Sequence, residues 1–425
     1  MHTATATPRR SRVYYGWWIV VGTFVLQAVQ SSLLFLSFGA YLVELQRYFG
    51  WTKSQISGAF SLARLESGFL GPIQGWMIDN WGARAVLRLG TLLFGGSFML
   101  LALVDSLFWF YAVFLMVAIG SSLAGFLTFN ATIASWFIRK RARAMAIAQT
   151  GMGLGGVLAL AVAWSLVTFG WRWTAFASGA LVIAIGLPAS QLFRGTPEQY
   201  GMLPDGRRPE PRPASGAGAR AASDGEVHFT VRQAMRQRAF WLISLGHGTA
   251  LLVVSGVQVH LIAFLEETAG WSLPAATTMV TLITMTSIVG QLSGGFLGDR
   301  FDKRLIAGTC MLGHGAAMLL LTWSASWPVV TFASVLHGLS WGARGPLMTA
   351  IRADYFGRRN FASIMGFSSM IVMLGTVLGP LFLAWMYDAL GNYRVAFFTI
   401  GVITGAGCLF FFLTPKRPVP APTPQ

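Results

Sequence analysis

The chain alternates long apolar stretches with short polar ones, and the apolar stretches have the length of membrane-spanning helices. An α-helix needs about 20 mostly apolar residues to cross a hydrocarbon core of about 30 Å. Twelve stretches meet that length, near residues 17–41, 54–78, 84–104, 107–137, 142–169, 172–193, 239–264, 274–298, 304–324, 328–351, 361–388 and 394–413. Because these stretches are continuously apolar and do not alternate, they favour helices over the strands of an outer-membrane barrel.

A polar stretch at 194–238 separates the sixth apolar segment from the seventh. Its Pro-, Ala-, Gly- and Arg-rich part predicts disorder over about 207–226, because such a composition cannot bury a core. Thr230 then predicts the cap of a short interfacial helix that runs to Arg238. We therefore expect an all-α membrane protein with twelve transmembrane helices in two pseudo-symmetric six-helix bundles. The predicted parts are a tail at 1–16, bundles at 17–193 and 239–413, the linker at 194–238 and a tail at 414–425.

The two halves also repeat each other in sequence. The segment 75–84, Gly-Trp-Met-Ile-Asp-Asn-Trp-Gly-Ala-Arg, recurs 220 residues later at 295–304 as Gly-Phe-Leu-Gly-Asp-Arg-Phe-Asp-Lys-Arg. Three residue types keep the same register in both copies, as Gly75, Asp79 and Arg84 and as Gly295, Asp299 and Arg304. A polytopic membrane protein built from two similar halves is typically a transporter.

Composition and charge agree with a membrane protein and exclude a nucleic-acid partner. The chain is 54% hydrophobic and only 11% charged, with a formal net charge of +16. If both termini are cytoplasmic, the basic residues concentrate on that side, and only Arg47, Lys53, Arg172 and Arg394 lie on the other. This positive-inside distribution explains the basicity by topology. We expect an integral protein of the plasma (inner) membrane with both termini in the cytoplasm.

The repeated motif carries a resemblance to a known family. The segment 75–84 matches the signature Gly-x-x-x-Asp-x-x-Gly-x-Arg, and the chain resembles the major facilitator superfamily over nearly its whole length. Within that superfamily, three stretches are similar to the monocarboxylate porters and the oxalate:formate antiporter group: 14–18, 136–151 and 197–205. The resemblance implies alternating access in a twelve-helix fold and a carboxylate substrate. In those porters the substrate-binding cations are expected on helices 8 and 11, where this chain has none, so no binding residue is carried over.

The repeated positions of the motif have a physical interpretation as a gate. Gly75 and Gly295 allow close helix contacts. Asp79 and Asp299 lie at the ends of helices, where they can accept hydrogen bonds from the backbone N–H groups at the N-terminus of a neighbouring helix. We also expect these carboxylates to pair with Arg84 and Arg304. Such a cluster would hold one face of the protein closed in one conformation and release it in the other. The alternative is helix capping combined with charges that set topology.

Charged residues inside the apolar stretches carry the inference about substrate. Arg64, Glu66 and Arg344 lie within predicted spans, where an unpaired charge costs at least about 2.5 kcal/mol at the bilayer centre. With one arginine in each half, an organic anion between them would be held from both sides. The alternative is that both arginines are structural and are neutralised by an acid or by backbone carbonyls. Glu66 is the main candidate to carry a coupled proton.

Further polar residues are candidates for the same site. His337, Trp341 and Arg344 recur at spacings of four and three, so they share a helix face that we expect to line a cavity. Other polar residues in apolar surroundings are Gln27, Gln30, Asn130 and His247. Hydrogen bonds between helices explain these four as well as ligand contact does. His260 and His314 are expected to be peripheral.

We expect no enzyme, no metal and no cofactor, because no nucleophile arrangement, metal cluster or phosphate loop stands out. The predicted function is a secondary active transporter for a small carboxylate, coupled to a proton or working by exchange, that rocks its halves about a central site. Two alternatives remain open. One is an efflux carrier for amphipathic organic compounds, and the other is a transporter-like membrane sensor that binds without moving its ligand.

Overall fold

A computed structural model describes residues 13–206 and 228–415 of the chain, and these two ranges are helical with no β-strand. The α-helices of the N-terminal half are α1 (Gly16–Gln30), α2 (Phe38–Phe49), α3 (Lys53–Trp81), α4 (Ala83–Leu101), α5 (Leu107–Leu123), α6 (Phe126–Trp136), α7 (Arg141–Gln149) and α8 (Gly151–Ser190). A short α9 (Val231–Met235) leads into the C-terminal half, which contains α10 (Arg238–Ala269), α11 (Leu273–Gly298), α12 (Lys303–Trp323), α13 (Trp327–Phe356), α14 (Phe361–Leu390), α15 (Tyr393–Ala406) and α16 (Cys408–Phe412).

Nine helical stretches within the two described ranges are long and apolar enough to cross a membrane. One of them, Arg141–Ser190, has the length of two crossings and is divided at Gly170, whose φ is 79°. Two further long helices, α3 and α13, coincide with predicted spans but contain charged residues and are not among the nine. All twelve predicted segments are therefore helical, while membrane crossing by α3 and α13 stays a prediction.

Several predicted spans contain interruptions that hydropathy did not reveal, and those in the first and the fourth span are joined by a side chain. The first is divided into α1 and α2 by a π-helical turn at Ser31–Leu36. The fourth is divided into α5 and α6 at Gly125, whose backbone is extended (φ −113°, ψ −152°). Gln30 bridges the two interruptions, because its Nε2 donates to the Ser121 carbonyl oxygen at 2.6 Å and to the Ser121 Oγ at 2.8 Å. Such π-helical insertions occur often at functional sites.

The helices form two similar bundles that meet chiefly along two pairs of helices. Within the halves, α4 packs against α5 and α8, α11 against α13, and α10 against α14. Between the halves, α3 packs against α14, and α7 packs against α11. These two contacts correspond to each other under the sequence repeat. The pseudo-symmetry of the fold therefore extends to the interface between its halves.

The central linker is described in part. Residues 207–227, including the stretch predicted to be disordered, lie outside the described residues, as do the tails 1–12 and 416–425. The predicted cap at Thr230 is confirmed. Its side-chain oxygen accepts a hydrogen bond from the Gln233 backbone N–H, and the Gln233 side chain accepts one from the Thr230 backbone N–H. The helix is shorter than predicted: α9 ends at Met235, and Arg238 already begins α10.

Candidate functional site

The repeated motif lies where the two halves touch. Asp79, near the end of α3, accepts the backbone N–H of Ser363 at 2.9 Å, in the first turn of α14. Asp299, just after α11, accepts the backbone N–H groups of Ala142 at 3.0 Å and Arg143 at 3.4 Å, in the first turn of α7. Each carboxylate therefore lies at a helix N-terminus of the opposite half, where a negative charge is favoured. We call the end of the protein formed by residues 79–84, 136–143, 299–304 and 354–363 the motif face.

The motif glycines lie at close helix contacts of the same interface. A Cβ added at Gly75 would meet the Ala362 carbonyl oxygen and the Ser363 Cα. A Cβ added at Gly295 would meet the side chain of Ala146 and the backbone of the first turn of α7. Both glycines thus permit the backbone approach that brings Asp79 and Asp299 to their partners.

The expected pairing of the motif acids with the motif arginines is wrong in this conformation. Arg84 donates from Nε to the Phe193 carbonyl oxygen at 2.9 Å and from Nη2 to the Gln191 carbonyl oxygen at 3.3 Å. Arg304 donates to Asp302, with Nη2 at 2.6 Å from Oδ2, and to the Thr414 carbonyl oxygen at 2.7 Å. This hydrogen bond from Arg304 lowers the pKa of Asp302 below its ordinary range. Each arginine therefore ties its motif loop to its own half, because the acids are already occupied by helix N-termini.

An ion pair between the halves was not foreseen from the sequence. The buried Arg141 donates from Nη1 to Asp354 Oδ1, and Lys303 Nζ lies 2.7 Å from Asp354 Oδ2. Arg141 also donates to the carbonyl oxygens of Phe137 and Ala134. Arg141 lies in the stretch 136–151 that resembles known porters, which was the available signal, but its partner is 213 positions away in sequence.

A cavity of about 270 Å³ lies in the N-terminal half and reaches α14 of the other half. Gln27 and Gln30, two predicted site residues, line it. Gln27 is buried, and its Nε2 has no hydrogen-bond partner, whereas Gln30 is held by Ser121. The remaining polar lining is uncharged and consists of Ser31, Ser67, Gln74, Ser121, Ser122 and Ser369.

Arg64 and Glu66 belong to the helix that forms one wall of this cavity. The side chain of Arg64 lies outside the described part of the structure; its position on α3 is four residues after Phe60 and three before Ser67, which both line the cavity. Glu66 is partly buried and accepts from Ser122 Oγ at 3.2 Å, while its Oε1 is buried without a partner. Glu66 is thus joined to the cavity through the lining residue Ser122.

Arg344 occupies the interior of the C-terminal half and does not line the 270 Å³ cavity. It is 1% exposed, and its Nε and Nη1 have no hydrogen-bond partner. His337 contacts His314 of α12, with 3.1 Å between the two Nδ1 atoms. The spacing of seven between His337 and Arg344 places both on the α12-facing side of α13. His314 is fully buried there, so its predicted peripheral position is wrong.

The shared face of His337 and Trp341 borders a separate cavity of about 20 Å³, together with residues of α10 and α11. His260, the other histidine expected to be peripheral, is partly buried and bridges Tyr393 Oη at 3.1 Å and the Pro380 carbonyl oxygen at 3.0 Å. The structure therefore does not bring His337, Trp341 and Arg344 together with Gln27 and Gln30 around one described cavity.

Two predicted site residues make internal hydrogen bonds. Asn130 is buried and donates to the Phe126 carbonyl oxygen of its own helix at 2.7 Å. His247 accepts at Nδ1 from Nη2 of Arg352 at 3.3 Å. Arg352, which directly follows the predicted span 328–351, is 1% exposed and also donates to Ser368 Oγ and the Met348 carbonyl oxygen. The C-terminal half thus buries two arginines on one face of α13.

Comparison with known proteins identifies the fold and its relatives. The model of the Major Facilitator Superfamily matches residues 19–277 and 244–425. Rat monocarboxylate transporter 13 is 25% identical over 409 residues, which cover 93% of this chain and 88% of the relative. Human monocarboxylate transporter 11 is 25% identical over 416 residues, which cover 95% of this chain and 83% of the relative.

Solved structures agree on the fold. The human organic anion transporter MFSD10 (TETRAN) superposes with a TM-score of 0.67 at 18% identity, covering 93% of this chain and 99% of that one. The E. coli fucose:proton symporter FucP gives a TM-score of 0.71 at 17% identity, covering 96% and 100%. Together with the two pseudo-symmetric bundles and the duplicated motif, these matches show that the chain belongs to the major facilitator superfamily and is an integral membrane transporter for small molecules.

Proposed function

We propose that the protein is a secondary active transporter for a small organic anion of the monocarboxylate type, coupled to a proton or working by exchange. The observation that carries this proposal is the buried guanidinium of Arg344, which has two unpartnered nitrogen atoms and belongs to none of the ion pairs of the described residues. A guanidinium keeps its charge under all ordinary conditions. A buried charge of this kind is stabilised by a counter-ion, and a carboxylate matches its planar geometry.

The relatives support the same substrate class. The proteins that align over 93% and 95% of this chain are named monocarboxylate transporters, and one solved relative is an organic anion transporter. In our proposal, the N-terminal half binds the substrate through Gln27 and Gln30, which line the cavity, and through Arg64 on the cavity-wall helix α3. Arg344, with His337 and Trp341, attracts the carboxylate from the C-terminal half, and His247 orients Arg352 behind it. The anion reaches Arg344 as the halves rock.

We further propose that the motif face is cytoplasmic and that the protein resides in the plasma or inner membrane. The distribution of basic residues supports this orientation. The described contacts between the halves run from Gly68 and Met373 in the middle to Asp79 and Ser363 at the motif face. This conformation would then face outward, and release of Asp79 and Asp299 would open the inward path.

Glu66 is the proposed proton carrier. A carboxyl group with one buried, unpartnered oxygen gains a hydrogen-bond donor on protonation and loses the cost of a buried charge. Its hydrogen bond from Ser122 links that change to the cavity wall. Coupling would follow if the protonated form favoured the conformation that binds the anion.

One observation favours the alternative of an efflux carrier for amphipathic compounds. The charged residues with described side chains are absent from the lining of the 270 Å³ cavity, which includes Leu34, Phe60, Phe126, Leu127 and Met152. Such a lining suits an apolar ligand with few polar groups. The two functions differ in whether binding depends on a negative charge.

The test is thermal stabilisation of the purified protein by a panel of mono- and dicarboxylates and of amphipathic cations. We expect a carboxylate to raise the melting temperature of the wild type and to lose that effect in Arg344→Gln. The matched control is Arg47→Gln, which removes an arginine whose partner, Glu44, lies on the same exposed helix end. Stabilisation by cations or neutral compounds alone would replace the anion proposal with the efflux one. An unchanged carboxylate effect in Arg344→Gln would overturn the role of Arg344 in binding.

A further inference from the structure

The first part of the central linker folds back over the motif face. Residues 194–206, which we call the strap, follow α8 and contain two 3₁₀ turns, Pro197–Tyr200 and Pro204–Gly206. The strap includes residues 197–205, Pro-Glu-Gln-Tyr-Gly-Met-Leu-Pro-Asp, which resemble the porters named above and take no part in the proposed binding of substrate. Its contacts differ in kind between the two halves of the protein.

Asp205 anchors the far end of the strap to the N-terminal half. Its two carboxylate oxygens accept the backbone N–H groups of Ile138 at 3.2 Å, Arg139 at 2.8 Å and Lys140 at 3.2 Å. These three groups form the turn between α6 and α7. Asp205 has a φ of 61°, a left-handed conformation that Asp and Asn tolerate better than most residues. An anion receiving three N–H groups forms a strong, charge-assisted attachment.

Aromatic residues fix the near end of the strap to the same half. The indole Nε1 of Trp136 donates to the Gly195 carbonyl oxygen at 2.6 Å, and Tyr14 Oη donates to the Trp136 carbonyl oxygen at 2.9 Å. The Arg194 guanidinium lies 4.0 Å from the ring centre of Tyr15. Burial, with smaller contributions from the carboxylates of Asp205 and Glu198, raises the pKa of Tyr14, which keeps its hydroxyl group a donor. The strap is therefore a fixed part of the N-terminal half.

One carboxylate of the strap reaches the other half. Glu198 Oε1 lies 3.0 Å from Nη2 of Arg358, in the turn between α13 and α14. Arg358 Nη1 donates in addition to the Ser135 carbonyl oxygen of α6 at 2.7 Å. Arg358 is thus held by two groups of the N-terminal half, and both contacts must break if the halves separate at this face.

We infer that the strap is a conformational clasp, which is anchored to the N-terminal half through Asp205 and holds the motif face closed by presenting Glu198 to Arg358. The clasp does not depend on which substrate the protein carries. The Glu198 and Arg358 side chains are 42% and 15% exposed, so water screens their attraction. We expect the pair to shift the ratio of closed to open motif face by about two- to fivefold, the range of partly exposed ion pairs.

Spin labels on the face opposite the motif face report this ratio. Arg47 and Glu267 are exposed, correspond under the 220-residue repeat and lie near the ends of α2 and α10. The labels are attached to Arg47→Cys and Glu267→Cys after Cys310→Ala and Cys408→Ala replace the two native thiols. Double electron–electron resonance then gives the populations of long distances, with the motif face closed, and of short distances, with it open.

We expect Glu198→Gln to increase the short-distance population about two- to fivefold, and Glu198→Arg to increase it further by repulsion. Asp205→Asn keeps the tolerated backbone conformation but removes the anchoring charge, so it should act in the same direction. Combining Glu198→Arg with Arg358→Glu restores opposite charges and should return the population toward that of the wild type.

The control is Asp105→Asn, which removes one exposed carboxylate outside the strap and should leave the populations unchanged. Size-exclusion chromatography establishes that each variant is folded and monodisperse. If Asp205→Asn does not fold, the two exposed-site Glu198 variants still decide the question. Distance distributions for Glu198→Gln and Glu198→Arg that superimpose on the wild type would overturn the clasp, as would an equal shift in Asp105→Asn.

Discussion

Two buried arginines on α13 have opposite environments. Arg352 donates to Ser368, to the Met348 carbonyl oxygen and to His247. Arg344, eight residues earlier, has two buried nitrogen atoms without partners. Arg352 therefore supports the fold of the C-terminal half, whereas Arg344 is poised to interact with something other than the described residues.

This contrast predicts opposite effects of the same substitution without substrate. Arg352→Gln should lower the free energy of unfolding by about 1–3 kcal/mol, because it leaves several buried partners unsatisfied. Arg344→Gln should not lower it, because an unpaired buried charge is removed. Melting temperatures of both variants in detergent without carboxylate check the prediction. A loss of stability in Arg344→Gln equal to that in Arg352→Gln would show that Arg344 is structural.

Glu66 permits a second prediction at this scale. In liposomes, an acidic exterior should stimulate uptake by the wild type, and Glu66→Gln should lose the stimulation while keeping substrate exchange, because the amide cannot take up the proton. Glu44→Gln, at a partly exposed acid paired with Arg47, is the control and should retain the stimulation. Uptake by Glu66→Gln that still rises with external acidity would assign the coupling elsewhere.

The sequence indicated which polar residues are buried better than it indicated their partners. Gln27 and Arg344 are buried and incompletely bonded, as residues of a binding site can be. Asn130 makes a bond within its own helix, and His314 is buried against His337. Spacing along one helix cannot distinguish these cases, because the partner lies on another helix whose rotation the sequence does not reveal.

At the scale of helices, the contact of α3 with α14 depends on the missing side chain of Gly75. Gly75→Ala should separate the two helices and raise hydrogen–deuterium exchange in residues 361–366, because its Cβ would collide with the α14 backbone. Gly96→Ala is the matched control: a Cβ there has nothing within 4 Å, and alanine favours the helix by up to about 1 kcal/mol. Equal exchange in the two variants would exclude a close-contact role for Gly75.

The N-terminus of α14 supplies a further prediction. Asp79→Asn keeps an oxygen for the Ser363 N–H but removes the negative charge, so the closed motif face loses about 0.3–2 kcal/mol of helix-dipole stabilisation. Transport should fall while the amount of protein in the membrane stays constant, as measured by flux and by immunoblot. Asp105→Asn controls for loss of charge. Full transport by Asp79→Asn would contradict the gating role.

Helix position was predictable from hydropathy, but helix interruptions were not. The apolar runs located all twelve helical segments, most of them within a few residues, because burial in lipid demands continuous apolar sequence. The π-helical turn at Ser31–Leu36 and the break at Gly125 occur within such runs. The hydrogen bond from Gln30 to Ser121 connects them across α1 and α5, a contact that no single helix encodes.

At the scale of the whole molecule, the 220-residue repeat predicted the two bundles and the pseudo-symmetric placement of Asp79 and Asp299. The repeat was informative because related segments fold alike and then meet across the symmetry axis. The strap and the Arg141–Asp354 ion pair have no counterpart in the repeat. They join residues far apart in sequence, so only the assembled halves reveal them.

The measurement that tests the central claim most directly is flux through purified protein in liposomes. Internal unlabelled carboxylate should drive uptake of the same radiolabelled carboxylate by the wild type, and Arg344→Gln should reduce that exchange by at least tenfold while Arg47→Gln retains it. This result would also exclude a sensor that binds without transport. Carboxylate exchange no faster than in protein-free liposomes, together with transport of amphipathic cations or neutral compounds, would contradict the anion-transport account.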